Sequence, residues 1–306
     1  MNQNRRFLFL ALAGLIVLAA FHPAGRHRAD LLYRKLTGQV TVIGWTEVAI
    51  RMLPGESLRA KVREIAGPTS GHWVQKLEFV SEPNTAFQLH PIVEGPTATM
   101  AVLECHLSIL QEGQTPHDIH QHLEEELIVP LEGEIAVIRG ADPEPVSETI
   151  GLGQFAYHAA NQPHTLRSEG PGPAKYFVLK WGKEPRERSE ATLVSRSFDF
   201  RPALLSHGGA AEGFTTTLMF EGPTQHLGKL HSHISTLQPG AGYDPHDDVY
   251  DVAMILLSGV VETVGYTVEA PGAIFYAAHH PHGIKNPGTT PAQYIVFEFH
   301  GQAKSE

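Results

Sequence analysis

The chain has 306 residues, enough for two domains of ordinary size, and 42% apolar against 18% charged residues excludes a disordered chain. Its formal charge is −10, with no arginine after Arg201 and only Lys229, Lys285 and Lys304 as later lysines, so there is no basic footprint for nucleic acid. The single cysteine, Cys105, excludes an intramolecular disulfide, so any metal site must draw on the carboxylates and the 19 histidines.

Residues 1–28 read as a signal peptide or signal anchor. Arg5 and Arg6 precede an apolar run from Phe7 to Phe21, followed by His22-Pro23-Ala24-Gly25. The run is shorter than the ~20 residues of a membrane span. Arg26 and Arg28 blur the cleavage site, which leaves anchoring through residues 7–21 as the alternative. Both readings place the rest of the chain outside the cytoplasm, in the periplasm or on the inner membrane. Residues 29–72 have helical character: Leu31, Leu32 and Leu36 share a face, and Thr46 can cap a short helix that Pro54 ends. This stretch is expected to be a spacer or cap.

From Trp73 onward, short alternating apolar runs separated by glycine and proline predict strands. Cys105 lies in one of them, where a buried, inert thiol is expected. An internal repeat orders these strands. Glu94-Gly95-Pro96-Thr97 recurs as Glu221-Gly222-Pro223-Thr224, and His106 to Gln111 as His233 to Gln238. Gly133 recurs as Gly259, Pro163-His164 as Pro281-His282, and Tyr176 to Leu179 as Tyr294 to Phe297. The expected organisation is one β-unit over 73–182, a linker over 183–213 and a second β-unit over 214–306.

The first unit carries His120-Gln-His122-Leu-Glu-Glu-Glu126. On a continuous strand, both imidazoles and Glu126 share a face. His164 arrives later, at a turn after Pro163. Two adjacent carboxylates, Glu124 and Glu125, are expected to be solvated. The spacing His120, His122, Glu126, Gly133 resembles the first motif of the cupin superfamily, and Gly153 with Pro163-His164 partly matches the second. Ser168 stands where that family has asparagine. The resemblance covers Trp73 to the C-terminus. It implies an all-β protein of two tandem cupin jelly-roll β-barrels, preceded here by the helical N-terminal segment. It also implies a divalent transition metal (Fe, Mn, Ni, Cu or Zn) held by His120, His122, Glu126 and His164.

The second unit is altered. Aligned on Gly259, His246 matches His120, Asp248 replaces His122, Val252 occupies the place of Glu126, and Asp251 falls one residue early. On a regular strand Asp251 points to the other face. His246, Asp248 and His282 therefore form either the remnant of a metal-free barrel or a two-histidine, one-carboxylate triad. About one tightly held metal per chain is expected.

Near the first ligands, Tyr157, His158 and Arg167 are the candidate catalytic side chains, with His117 beside them. The resemblance covers dioxygenases, decarboxylases, lyases and isomerases. The expected function is a metal-dependent oxidoreductase of dioxygenase type, acting on a small oxygenated or carboxylated compound. The alternative is a non-catalytic bicupin that binds a metal or a sugar-like small molecule, as a monomer or homodimer.

Overall fold

Runs of β-branched and aromatic residues, punctuated by glycine and proline, form twenty strands and one short helix among the described residues. In the computed structural model these are residues 41–42, 53, 58, 72–79, 85–95, 97, 99–100, 102–140, 144–182, 193–207 and 213–301. The expected signal segment, and all of the expected helical spacer except residues 41–42, 53, 58 and 72, lie outside them. The strands are β1 (Thr41–Val42), β2 (His72–Lys76), β3 (Phe87–Gly95), β4 (Val102–Leu110), β5 (Glu125–Glu132), β6 (Ile135–Arg139), β7 (Val146–Ile150), β8 (Gln154–His158), β9 (His164–Ser168) and β10 (Ala174–Gly182). After β11 (Arg196–Asp199) comes the helix α1 (Arg201–His207). Then follow β12 (Phe214–Gly222), β13 (Lys229–Leu237), β14 (Gly242–His246), β15 (Asp251–Ser258), β16 (Val260–Thr263), β17 (Tyr266–Glu269), β18 (Gly272–Tyr276), β19 (His282–Lys285) and β20 (Ala292–His300).

The repeat in the sequence is a repeat in topology. One large sheet runs β1-β3-β4-β10-β5-β8-β11 and the other β12-β13-β20-β15-β18-β2. A smaller sheet, β7-β6-β9, closes the first barrel, and β14-β19-β16-β17 closes the second. Chain order and barrel membership part at two strands. β2, expected within the first unit, pairs with β18 of the second, and β11, within the 183–213 segment expected as a linker, pairs with β8 of the first. Each large sheet is thus completed by a strand from the other half of the chain.

The inner strands of the large sheets, such as β5, β10, β15 and β20, are buried on both faces along most of their length. On β5, β8 and β10, Ile128, Ala156 and Val178 face the interior of the first barrel. Their neighbours Leu127, Tyr157 and Leu179 face a core shared by the two barrels, which also contains Ile255, Phe275 and Phe297. The second barrel has its own interior around Met254, Ile274 and Val296. Cys105 is buried in the shared core, and burial pushes its thiol up, out of reactive range. The turn glycines Gly133 and Gly259 both adopt positive φ, 75° and 79°. A Cβ on Gly133 would also lie 2.9 Å from the Pro173 carbonyl oxygen, so the tight β5–β6 turn requires glycine.

Two carboxylates lock the barrels together. Glu125, fully buried, accepts hydrogen bonds from Tyr157 Oη (2.6 Å), Trp181 Nε1 (2.9 Å) and, across the barrel boundary, Thr224 Oγ1 (2.6 Å) and the Gln225 amide (3.1 Å). Asp251, its counterpart, accepts from the hydroxyls of Thr97 and Thr99 and from the Ala278 amide. Thr97 and Thr224 are the equivalent threonines of the repeated Glu-Gly-Pro-Thr motif, so each barrel's motif clasps the other barrel's carboxylate. The expectation of a solvated Glu125 is corrected: on a strand buried on both faces, its side chain lies in the shared core.

Candidate metal centre

Three imidazoles converge at the mouth of the first barrel. His120, His122 and His164 each bring a ring nitrogen within 4.8 Å of the others. The strand expected to carry the first two begins only at Glu125; His120 and His122 precede it in an irregular segment. What places His120 is an isolated antiparallel bridge to His164, with reciprocal backbone hydrogen bonds of 3.1 and 2.9 Å. The same bridge brings together two histidines far apart in sequence. The turn before β9 is made by Asn161 at a φ of 60°.

Backbone carbonyls fix the tautomers. His164 Nδ1 donates to the Gln162 carbonyl (2.7 Å) and His122 Nδ1 to that of Glu124 (2.9 Å). This leaves Nε2 of each with a free lone pair, the arrangement in which metal-ligating histidines are held. His122 Nε2 and His120 Nδ1 are buried and have no hydrogen-bond partner. Buried polar atoms are ordinarily satisfied, so unpaired nitrogens facing one centre fit a cation between them.

Glu126 points into the same barrel, because it is one residue on from the outward-facing Glu125. Its Oε2 lies 3.1 Å from His164 Nε2 and 3.3 Å from His158 Nδ1, and its Oε1 lies 3.3 Å from Lys180 Nζ. Burial opposes its ionisation, but the contacts with His158 and His164 and the Lys180 ammonium outweigh that and hold it well below the usual carboxylate range. Glu126, His158 and His164 thus make a second cluster sharing His164 with the first. A cavity of about 100 Å³ opens beside them, lined by His106, His117, Tyr176 and Lys180 among others.

No protein-family model matches the sequence, and no curated protein does. Among solved structures the chain is similar to AerE from Microcystis aeruginosa, with a TM-score of 0.52 and 13% identity over 72% of this chain and 95% of that one. It is similar also to a cupin 2 conserved barrel domain protein from Leptotrichia buccalis, with a TM-score of 0.50 and 14% identity over 72% and 92%. The chain has the cupin fold, in two copies. Oxalate decarboxylase OxdC from Bacillus subtilis is a further neighbour of the bicupin, at a TM-score of 0.48 and 13% identity over 67% and 70%.

The bicupin treats the other candidates unequally. His158 is fully buried, and burial drives its pKa down to about 4, so it is a neutral hydrogen-bond donor to Glu126. Tyr157 is turned to the opposite face of β8 and is spent on Glu125. Arg167 is exposed and paired with Glu169. Neither reaches the cavity: alternation along a strand sends neighbours to opposite faces. Lys180 was not singled out in the sequence; its register opposite Glu126 is the signal.

In the second barrel, His246, Asp248 and His282 do meet. Asp248 Oδ2 lies 3.6 Å from His246 Nε2 and 3.5 Å from His282 Nε2, while His282 Nδ1 is held by the His280 carbonyl at 2.9 Å. Val252 is buried and opposite Glu298, and Asp251 points away into the clasp described above. A larger cleft of about 490 Å³ lies between β14, β16, β17 and β19, and of this triad only His282 lines it.

Proposed function

We propose that the bicupin is a metal-dependent enzyme, an oxidoreductase of the dioxygenase type, acting on a small carboxylated compound outside the cytoplasm. The observation that carries this is the pair of clusters that share His164, one with His120 and His122 and one with Glu126 and His158, beside a small cavity whose wall includes an ammonium group. A divalent transition metal held by His120, His122, Glu126 and His164 would supply Lewis acidity and, if redox-active, an electron couple for oxygen chemistry. His158 keeps Glu126 oriented by a hydrogen bond from Nδ1. Lys180 faces the cavity and pairs with an anionic group of the substrate. His117, its pKa pushed down by burial, is neutral at pH 7 and available to accept a proton. The cavity's size selects small molecules. The basic start and apolar run of residues 1–28 support export.

The test is oxygen uptake by the purified chain, loaded in turn with Fe²⁺, Mn²⁺, Ni²⁺, Cu²⁺ or Zn²⁺ and offered a panel of small mono- and dicarboxylates. Turnover with one metal is expected, lost in His122→Ala and shifted to higher KM in Lys180→Met. Metal bound in the first barrel with no turnover of any kind would leave a binding protein instead. Residues 1–28 fused to a reporter active only outside the cytoplasm should confer activity; a silent fusion contradicts export.

A further inference from the structure

We propose a second cation site in the second barrel, made by His231, His233 and Glu298 and independent of the first-barrel centre. His231 and His233 are two apart on β13, so both turn to the face that looks into the barrel. Glu298 stands on β20 directly opposite His231 in register. His231 Nε2 and His233 Nδ1 lie 3.1 Å apart, and Glu298 Oε1 is 3.8 Å from His233 Nδ1. All three ligand atoms fall within 4.8 Å of one another. Two nitrogens each bound at about 2.0–2.1 Å to one zinc-sized ion are separated by roughly 3–3.5 Å, the spacing found here.

The outer contacts have the form of a metal site. His231 Nδ1 is held by Glu221 Oε2 at 2.9 Å, which leaves Nε2 as the lone pair directed at His233. Lys229 neutralises Glu221, not Glu298. His300 Nε2 holds the other oxygen of Glu298 at 2.9 Å. Glu298 is largely withdrawn from water, faces the imidazoles of His233 and His300 and the phenol of Tyr250, and has no lysine or arginine partner among the described residues. A bound cation supplies the positive charge this carboxylate otherwise lacks.

The first barrel serves as the internal control. The positions equivalent to His231, His233 and Glu298 are Glu104, His106 and Lys180, and there the ammonium of Lys180 compensates Glu126. In the second barrel the carboxylate has moved from β15, where Val252 now stands, to β20, and a second imidazole has replaced Glu104. Together the two changes leave Glu298 beside imidazoles and without the lysine that stands at its position in the first barrel. The ligand types fit Zn²⁺, Co²⁺, Ni²⁺ or Cu²⁺ better than Mg²⁺ or Ca²⁺. The trio is distinct from His246, Asp248 and His282; Tyr250, acted on by both Asp248 and Glu298, lies between the two sets.

The test is equilibrium dialysis of the full chain against Zn²⁺ after chelator treatment. In the variant His120→Ala/His122→Ala/His246→Ala/His282→Ala, one zinc per chain is expected to remain. Adding Glu298→Lys, which places an ammonium where the first barrel has Lys180, should abolish it, and Glu221→Gln should weaken it by about 10–100-fold. Zinc retained regardless of Glu298→Lys, or lost in the fourfold variant while circular dichroism shows it folded, would overturn the site. Should the fourfold variant not fold, anomalous scattering at the zinc edge from crystals of the zinc-loaded wild type decides: a peak between His231, His233 and Glu298 supports the site, and none there refutes it. Neither outcome depends on the first barrel being catalytic.

Discussion

At the residue scale, one alternation explains the site and its surroundings. Glu125 and Glu126 are neighbours on one strand, and the pleat sends the first into the shared core and the second into the barrel. The ligand types were legible in the sequence because imidazole and carboxylate at short spacing have few other uses. The fate of Glu125 was not, because burial on both faces of a strand removes the polar-out pattern by which a solvated residue would be told apart. A signal was present: Glu125 and Asp251 occupy equivalent positions of the repeat, so Asp251 is the counterpart of Glu125, not a displaced Glu126. Two substitutions separate these roles. His122→Ala should strongly lower metal content measured by elemental analysis while leaving the circular dichroism spectrum unchanged, because His122 packs against no apolar core. Glu125→Ala should do the reverse at the level of stability, costing about 3–5 kcal/mol in urea unfolding by leaving buried donors unpaired. A cost below ~1 kcal/mol would contradict the clasp.

At the element scale, the repeated Glu-Gly-Pro-Thr segments act as reciprocal clasps at the ends of β3 and β12. The repeat was visible in the sequence, but its reciprocity was not, since nothing in a one-dimensional match says that a motif contacts the opposite copy. Asp251 gives this interface a pH signature. Burial raises its pKa above the ordinary 3.8, against the hydrogen bonds from Thr97, Thr99 and Ala278, which lower it. A raised carboxylate binds its proton more tightly in the folded state. Its contribution is therefore fully present below pH 3.8 and declines as pH rises through the folded value. Asp251→Asn cannot titrate, so the stability of the wild type relative to this variant should fall as pH rises above 3.8 and then level off. A difference flat with pH, or one rising with it, would count against the buried carboxylate.

At the scale of the whole molecule, two barrels were legible from the repeat, yet their mutual dependence was not. β2 and β11 each complete the sheet of the other half, and pairings this distant in sequence leave no local pattern. The shared core, with Phe155 edge-on to Phe297 at 5.3 Å and Trp181 edge-on to Phe299 at 5.2 Å, binds the sheets further. The two barrels should therefore unfold as one unit, with a single calorimetric transition whose van't Hoff and calorimetric enthalpies agree. A chain ending at Gly182 lacks β11 and exposes the face bearing Leu127, Tyr157 and Leu179, so it should aggregate instead of giving a soluble first barrel. Two resolved transitions, or a stable monomeric fragment, would show that the barrels are independent.

The metal centre proposed for the first barrel is tested most directly by anomalous diffraction from crystals of the full-length chain loaded with Mn²⁺ or Zn²⁺, recorded at that metal's absorption edge. The proposed four-residue site requires a peak within bonding distance of His120, His122, Glu126 and His164, absent in His122→Ala crystals. A metal-loaded crystal with no anomalous density among those four residues would contradict it.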